Sequence, residues 1–154
     1  MSALDWIQLG TSLTATLAFS VLFHIRGIKL VAAMFGGGLS WALFLLFHHV
    51  IEKEAICYFW VAILISLYAE WMATCLKAPV TIFIAPCLIP LVPGASLYYT
   101  MKCALEGGWL QFIDKAVHTL ALGSALALGI VVSAVLMRLI AEICRPLRKR
   151  EGQE

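Results

Sequence analysis

Lys77-Ala78-Pro79-Val80-Thr81-Ile82-Phe83-Ile84-Ala85-Pro86-Cys87-Leu88-Ile89-Pro90-Leu91-Val92-Pro93-Gly94-Ala95-Ser96-Leu97-Tyr98-Tyr99 is apolar enough to cross a bilayer, yet it carries Pro86, Pro90 and Pro93, then Gly94. Each proline removes a backbone donor and clashes with the carbonyl four residues before it. A continuous helix is therefore not expected here. Within lipid, broken backbone survives only where protein covers it or where it lines a polar cavity. Transporters use such breaks to build substrate and ion sites near the midplane.

The rest of the composition places this stretch in a membrane. The chain has 154 residues, of which 62% are hydrophobic and 13% charged, with mean hydropathy +0.95. A soluble domain carries about 25% charged residues. The fold class is therefore all-α and integral to the membrane. A span needs about 20 apolar residues, and five runs qualify: Leu4–Phe23, Leu30–Val50, Ala55–Thr74, the proline-broken Val80–Met101, and Ala116–Ile140. The links are short: His24–Lys29, Ile51–Glu54, Cys75–Pro79 and Lys102–Lys115. Residues 1–141 read as one transmembrane domain and 142–154 as a basic tail suited to anionic head groups. No Lys or Arg precedes the first run, so it is expected to remain as a span.

Charge asymmetry gives an orientation. Arg26, Lys29, Lys77, Arg138, Arg145, Arg148, Lys149 and Arg150 fall on one side, and Lys53, Lys102 and Lys115 on the other. The N-terminus is expected outside and the C-terminus inside.

Small residues recur every fourth position: Gly10, Thr14 and Ala18; Gly36 and Ser40 beside Ala33 and Gly37; and Ala121, Ala125, Gly129 and Ser133. Such stripes let helix backbones approach closely, either within the chain or against a companion subunit. Gly36-Gly37-Gly38 reads equally as packing or as a hinge.

Glu70 is the ionisable group of most interest, seven residues before the interfacial anchor Lys77. That spacing is roughly 10 Å along a helix. A charge at mid-helix costs on the order of 3 kcal/mol to insert, so Glu70 should face protein or water. It reads either as a proton- or substrate-coupling carboxylate or as a structural acid. Thr74 shares its face, as a cavity ligand or bonded back to its own helix. In the broken span, Ala85, Ile89 and Val92 precede prolines and lean toward extended backbone. Gly94 permits a left-handed turn, after which a half-helix could restart and aim its N-terminus, with Ser96 beside it, at an anion. Tyr98 and Tyr99 suit an aromatic belt or the pathway.

The five cysteines read as free thiols, with a Cys57–Cys103 bridge as the alternative. His24, His48, His49 and His118 lie near span ends and make no chelate pattern, so no metal or cofactor is expected. There is no nucleophile elbow, phosphate loop, HExxH or catalytic acid pair, which argues against an enzyme. Glu106 and Asp114 read as loop residues, and nucleic acid is not an expected partner.

The run Tyr68-Ala69-Glu70 … Leu76-Lys77-Ala78-Pro79 … Phe83 … Pro86 … Ile89-Pro90-Leu91-Val92-Pro93-Gly94 … Leu97-Tyr98-Tyr99-Thr100-Met101 closely resembles the threonine/serine exporter family, specifically its small five-span half with the PLVPG motif. The likeness extends back through Ala18-Phe19, Leu22-Phe23 and Gly37 … Trp41, and forward through Gly107 … Gly129-Ile130. It implies a multi-pass exporter of the bacterial inner membrane, working with a second five-span half. The implied substrates are threonine and serine, or succinate in the split two-subunit branch. The implied positions are Glu70, Lys77, Pro79, Pro86, Pro90, Pro93, Gly94 and Tyr98. Where many relatives carry Ala-Arg after the Glu70 position, Ala73-Thr74 stands here, and Arg26 occupies a loop site where proline is common. Other classes compatible with the residues are a membrane assembly or regulatory subunit and a passive homo-oligomeric channel.

Overall fold

A computed structural model describes residues 3–150. Six helices follow in order: α1 (Ala3–Leu22), α2 (Ile28–His48), α3 (Glu54–Cys75), α4 (Thr81–Leu88), α5 (Gly94–Leu105) and α6 (Trp109–Arg150). A 3-10 turn, Ile89–Leu91, joins α4 toward α5. No strand occurs among the described residues.

Three helices are long and apolar enough to cross a membrane: α2, α3, and α6 over Trp109–Ile140. The segments Thr81–Leu91 and Gly94–Leu105 qualify together as a fourth unit bent by 54°. α1 has 20 residues but does not pass the same test, because Asp5, Gln8 and a series of Ser and Thr dilute its apolar side chains. The backbone of α6 runs unbroken across residue 142 to Arg150. Apart from Glu142, the side chains of the expected tail lie outside the described residues.

The break is milder in backbone than the prolines suggest. Pro86 sits inside α4, so Ala85 stays helical, and Ile89 is helical too at φ −53°, ψ −46°. Only Val92 is extended, at ψ 123°. Gly94 is not left-handed; α5 simply starts there, with Pro93 as its cap. The chain turns because Val92 and Pro93 leave the helical region in succession, so the left-handed glycine is not needed.

Left-handed backbone appears instead at His24 (φ 57°) and Lys77 (φ 46°). Each ends a helix. The Ile25 N–H bonds the Ser20 carbonyl at 3.0 Å, and the Ala78 N–H bonds the Ala73 carbonyl at 3.0 Å. These are the closing bonds of the Schellman motif, whose left-handed position ordinarily holds glycine. A side chain there costs roughly 1–2 kcal/mol.

Packing centres on α2. A Cβ on Gly36 would strike the Cys87 sulfur and would stand 2.8 Å from the Tyr68 ring; one on Gly37 would strike the Thr16 side chain; one on Gly38 would come within 2.5 Å of Leu13. Three successive glycines thus seat α4 and α3, then α1. The triplet lies in unbroken helix with neighbouring side chains packed against it. Tyr68 Oη donates to the Ala32 carbonyl at 3.0 Å, and the Cys87 thiol approaches the Ala33 carbonyl at 3.6 Å.

α6 runs parallel to α3. His118 meets Glu54 near the start of α3, and further along Gly129 meets Ala62 and the Phe59 carbonyl. The buried stripe of α6 is Leu122, Gly129 and Ser133 with half-buried Ala125, whereas Ala121 is exposed. The α1 stripe is likewise displaced: Gly10, Thr14 and Ala18 are exposed, and Ser12, Thr16 and Ser20 are buried. Asp114 is helical, not in a loop. Cys57 and Cys103 are both free thiols, so the alternative bridge is not made.

α5 buries no residue and packs chiefly on α6, with the Thr100–Thr119 hydroxyl pair at 3.0 Å between them. α6 has 42 residues, about 63 Å of helix against a hydrocarbon core of about 30 Å. About 14 Å of it precedes His118, the level at which α3 begins.

The two α6 glycines should respond oppositely. Gly123 faces open space, so Gly123→Ala should be neutral or stabilise by about 0.5–1 kcal/mol. A Cβ at Gly129 would lie 2.8 Å from the Phe59 carbonyl, so Gly129→Ala should cost about 1–3 kcal/mol. Reversible unfolding in mixed micelles reads both. Equal stabilities would disprove the close α3–α6 approach.

Candidate functional site

The polar residues of α1 gather on its seam with α2. A cleft of about 290 Å³ is lined by Gln8, Thr11, Ser12 and Ala15 of α1, Trp41 of α2, and Ile89 and Pro90 of the 3-10 turn. A second cleft of about 250 Å³ follows toward the start of α1, lined by Asp5, Ala42, Leu45, Leu46 and His49. Asp5, Gln8 and Ser12 fall on successive turns of α1, opposite Trp41, Leu45 and His49 of α2. Helical spacing of three and four residues puts each set on one face.

The polar groups differ in what they hold. Thr11 donates to the Gln8 carbonyl at 2.9 Å, and Ser12 donates to the Gly37 carbonyl at 3.1 Å. The Trp41 indole N–H is buried and finds no acceptor among the described residues. Buried donors are nearly always paired in folded proteins. Beyond Ser12 the seam closes: Thr16 seats against Gly37 and bonds the Ser12 carbonyl at 2.8 Å, and Ser20 is fully buried. No side chain lining the cleft at Trp41 is charged.

Of the residues singled out from sequence, only Pro90 lines this cleft. Pro86 is buried in α4 beneath it. Glu70 is half-buried on α3 beside Ala69 and Ala73, which are buried, and its carboxylate makes no hydrogen bond or ion pair among the described residues. Thr74 is exposed and donates back to the Glu70 carbonyl at 2.9 Å. Lys77 is exposed at the end of α3. Pro93 and Gly94 stand at the α5 start, with Ser96 half-buried after them. Tyr98 is exposed, edge-on to Tyr99, in a shallow cleft with Met101, Lys102, Leu105 and Glu106. The structure therefore leaves Glu70, the proline turn and Tyr98 in three separate places.

Gln8, Thr11, Ser12 and Trp41 are not among the sites picked from sequence. Their signal was present in Gln8, an amide near the start of the hydroxyl-rich first run, and in Trp41, placed within a span and not at its end. Glu54 is flanked by His48 at 3.8 Å and His118 at 3.5 Å. Among the described residues, no group of three His, Cys, Asp or Glu side chains is arranged to hold a metal ion.

Residues 8–136 match the family described as Threonine/Serine exporter, ThrE. The chain belongs to the threonine/serine exporter family. Within this exporter family the chain is a membrane transport protein and not an enzyme. The matched region begins at Gln8 and includes all residues of the Trp41 cleft, the proline turn and both glycine contacts of α2 and α6. No curated protein and no solved structure matches the chain.

If the Trp41 N–H serves the transported molecule, Trp41→Phe should lower efflux about tenfold, the worth of one hydrogen bond to a charged group. Its folded stability should hold or rise, because an unpaired buried donor has been removed. Gln8→Leu should act likewise. Unchanged efflux in both, measured at matched expression, would exclude this cleft from the pathway.

Proposed function

We propose that the chain is one half of a two-part exporter that carries small carboxylate metabolites, threonine and serine or succinate, out across the bacterial inner membrane. The observation that carries this reading is the polar face of α1 laid against the proline turn, with an unpaired donor at Trp41. On this reading α1 is the fifth span, polar because it lines the path, and α4 with α5 forms one broken span. The N-terminus lies outside and the C-terminus inside, as the Lys and Arg distribution favours. The Asp5 cleft then opens outward, and the closed seam at Thr16 and Ser20 is the barrier. Transport requires α1 to shift against α2 so that the barrier opens.

The cleft at Trp41 offers the Gln8 amide and the Trp41 indole as donors but no cation, the Thr11 and Ser12 hydroxyl protons being given to backbone carbonyls. A carboxylate substrate therefore needs its countercharge from outside this set, which supports a second five-span subunit. An odd number of spans in each half would give inverted topology. Glu70 is assigned to proton coupling, since an unpaired half-buried carboxylate can exchange protons without breaking an ion pair. Pro93, Gly94, Ser96 and Tyr98 belong to the outer half of the broken span, which yields as the path opens.

The test is efflux of labelled threonine, serine and succinate from loaded cells carrying this chain, the five-span companion, or both. Efflux only with both supports the two-part exporter and identifies its substrate. Efflux from this chain alone would replace it with a self-sufficient oligomer. No efflux of any of the three, with both chains in the membrane, would reject it. In the active combination, Glu70→Gln should flatten the dependence of efflux on external pH. A profile matching the unmodified protein would remove Glu70 from coupling.

A further inference from the structure

The end of the bundle opposite the Asp5 cleft carries a different arrangement. Two loops meet there. Ile25 of the α1–α2 loop is buried in one apolar cluster with Ala32, Ala33, Ala69, Ala73 and Phe83, and Leu76, Ala78 and Val80 of the α3–α4 loop pack against that cluster. Burying Ile25 and Ala78 turns their neighbours outward. His24 and Lys77 are those neighbours, and both hold the left-handed backbone that glycine would adopt without strain. The sequence thus carries a histidine and a lysine at two positions where the backbone favours glycine. Strain retained at a fixed position points to function.

Arg26 and Lys29 join them. Neither loop contains an acid, and among the described residues Arg26, Lys29 and Lys77 make no ion pair. Glu70 and Glu142 stand on the neighbouring helices and are not paired with these cations either. Beside the loops, between the end of α1 and the start of α4, lies a cleft of about 310 Å³ lined by Phe23, Ile25, Thr81, Ile82 and Ala85. Its walls are apolar except for the Thr81 hydroxyl. It sits where the membrane-length helix α3 ends.

We propose that this cleft binds an anionic phospholipid, with one acyl chain against Phe23, Ile82 and Ala85 and the phosphate among Arg26, Lys29 and Lys77. Charge complementarity selects an anion, because the two loops present unpaired cations only. The apolar walls select a lipid over a soluble anion, since free phosphate would gain nothing from them. A bound lipid would tie the α1–α2 loop to the α3–α4 loop.

Full-length protein in mild detergent, mixed with equal phosphatidylglycerol and phosphatidylcholine, gives the test by native mass spectrometry. Phosphatidylglycerol should be retained at least fivefold over phosphatidylcholine. Lys77→Gly relieves the backbone while removing the cation, so it keeps the fold; combined with Arg26→Gln it should abolish that preference. Ala85→Leu fills the exposed edge of the cleft without touching a charge, and should lower retention of both lipids. Equal retention of the two lipids by the unmodified protein would overturn the proposal, as would an unchanged preference in the Lys77→Gly/Arg26→Gln protein. Displacement by millimolar inorganic phosphate with no effect of Ala85→Leu would overturn it in favour of a soluble-anion site.

Discussion

Inside a membrane, every backbone group freed by a proline must be covered by protein. Pro86 falls under that constraint inside α4, and the glycine triplet of α2 is what lets α4 pack closely. With no side chains at Gly36, Gly37 and Gly38, α2 lets Cys87 of α4, Tyr68 of α3 and Thr16 of α1 rest against its backbone. Cys87 immediately follows Pro86, so the proline-bearing helix is pressed onto the hub one residue past its missing donor. Tyr68 and Cys87 then give the carbonyls of Ala32 and Ala33 second partners one turn before the glycines. Close backbone approach and polar cover come from the same contacts.

The same economy of side chains explains α1. A helix that meets a glycine face can bring short hydroxyls rather than large apolar groups. Ser12, Thr16 and Ser20 fill that role, and both Ser12 and Ser40 donate to the single carbonyl of Gly37. The consequence is a helix too polar to score as a span yet buried along one face. Its remaining polar residues, Asp5, Gln8 and Thr11, continue the line to where α2 turns bulky at Trp41, and clefts open there. Packing seam and clefts are therefore two stretches of one polar face, distinguished by whether glycine or tryptophan stands opposite.

Much of this was legible in the chain. The all-helical membrane class follows from composition and run length, but α1, read as the first of five spans, is less apolar than the helices able to cross; spacing marked Gly36, Gly37 and Gly129 as small positions without saying what each one meets. What spacing did not settle is which of several neighbouring stripes faces inward. Gly10, Thr14 and Ala18 recur as regularly as Ser12, Thr16 and Ser20, and only the second set meets α2. Residue size is the same in both, so the partner decides. A left-handed Gly94 was expected after the prolines; the backbone turns instead through extended Val92 and Pro93, and α5 starts at Gly94. The Trp41 cleft was missed because its members lie on three separate elements and each looks ordinary in its own run.

The broken span gains meaning from its neighbours. α4 and the 3-10 turn pack into the α1–α3 bundle, whereas α5 packs chiefly on α6. An unbroken helix through this region would rigidly join the α1–α4 bundle to the start of α6, which extends about 14 Å past the level where α3 begins. The succession of Val92 and Pro93 removes that coupling without opening the bundle, since Leu91 just before it is fully buried among Phe44, Tyr58 and Leu122. The prolines thus divide one membrane-length segment into a part that walls the Trp41 cleft and a part free to follow α6. Under the proposed function, a path through the seam of α1 and α2 would need one wall to stay fixed while another element moves, and the division at Val92 would supply both from a single stretch of sequence.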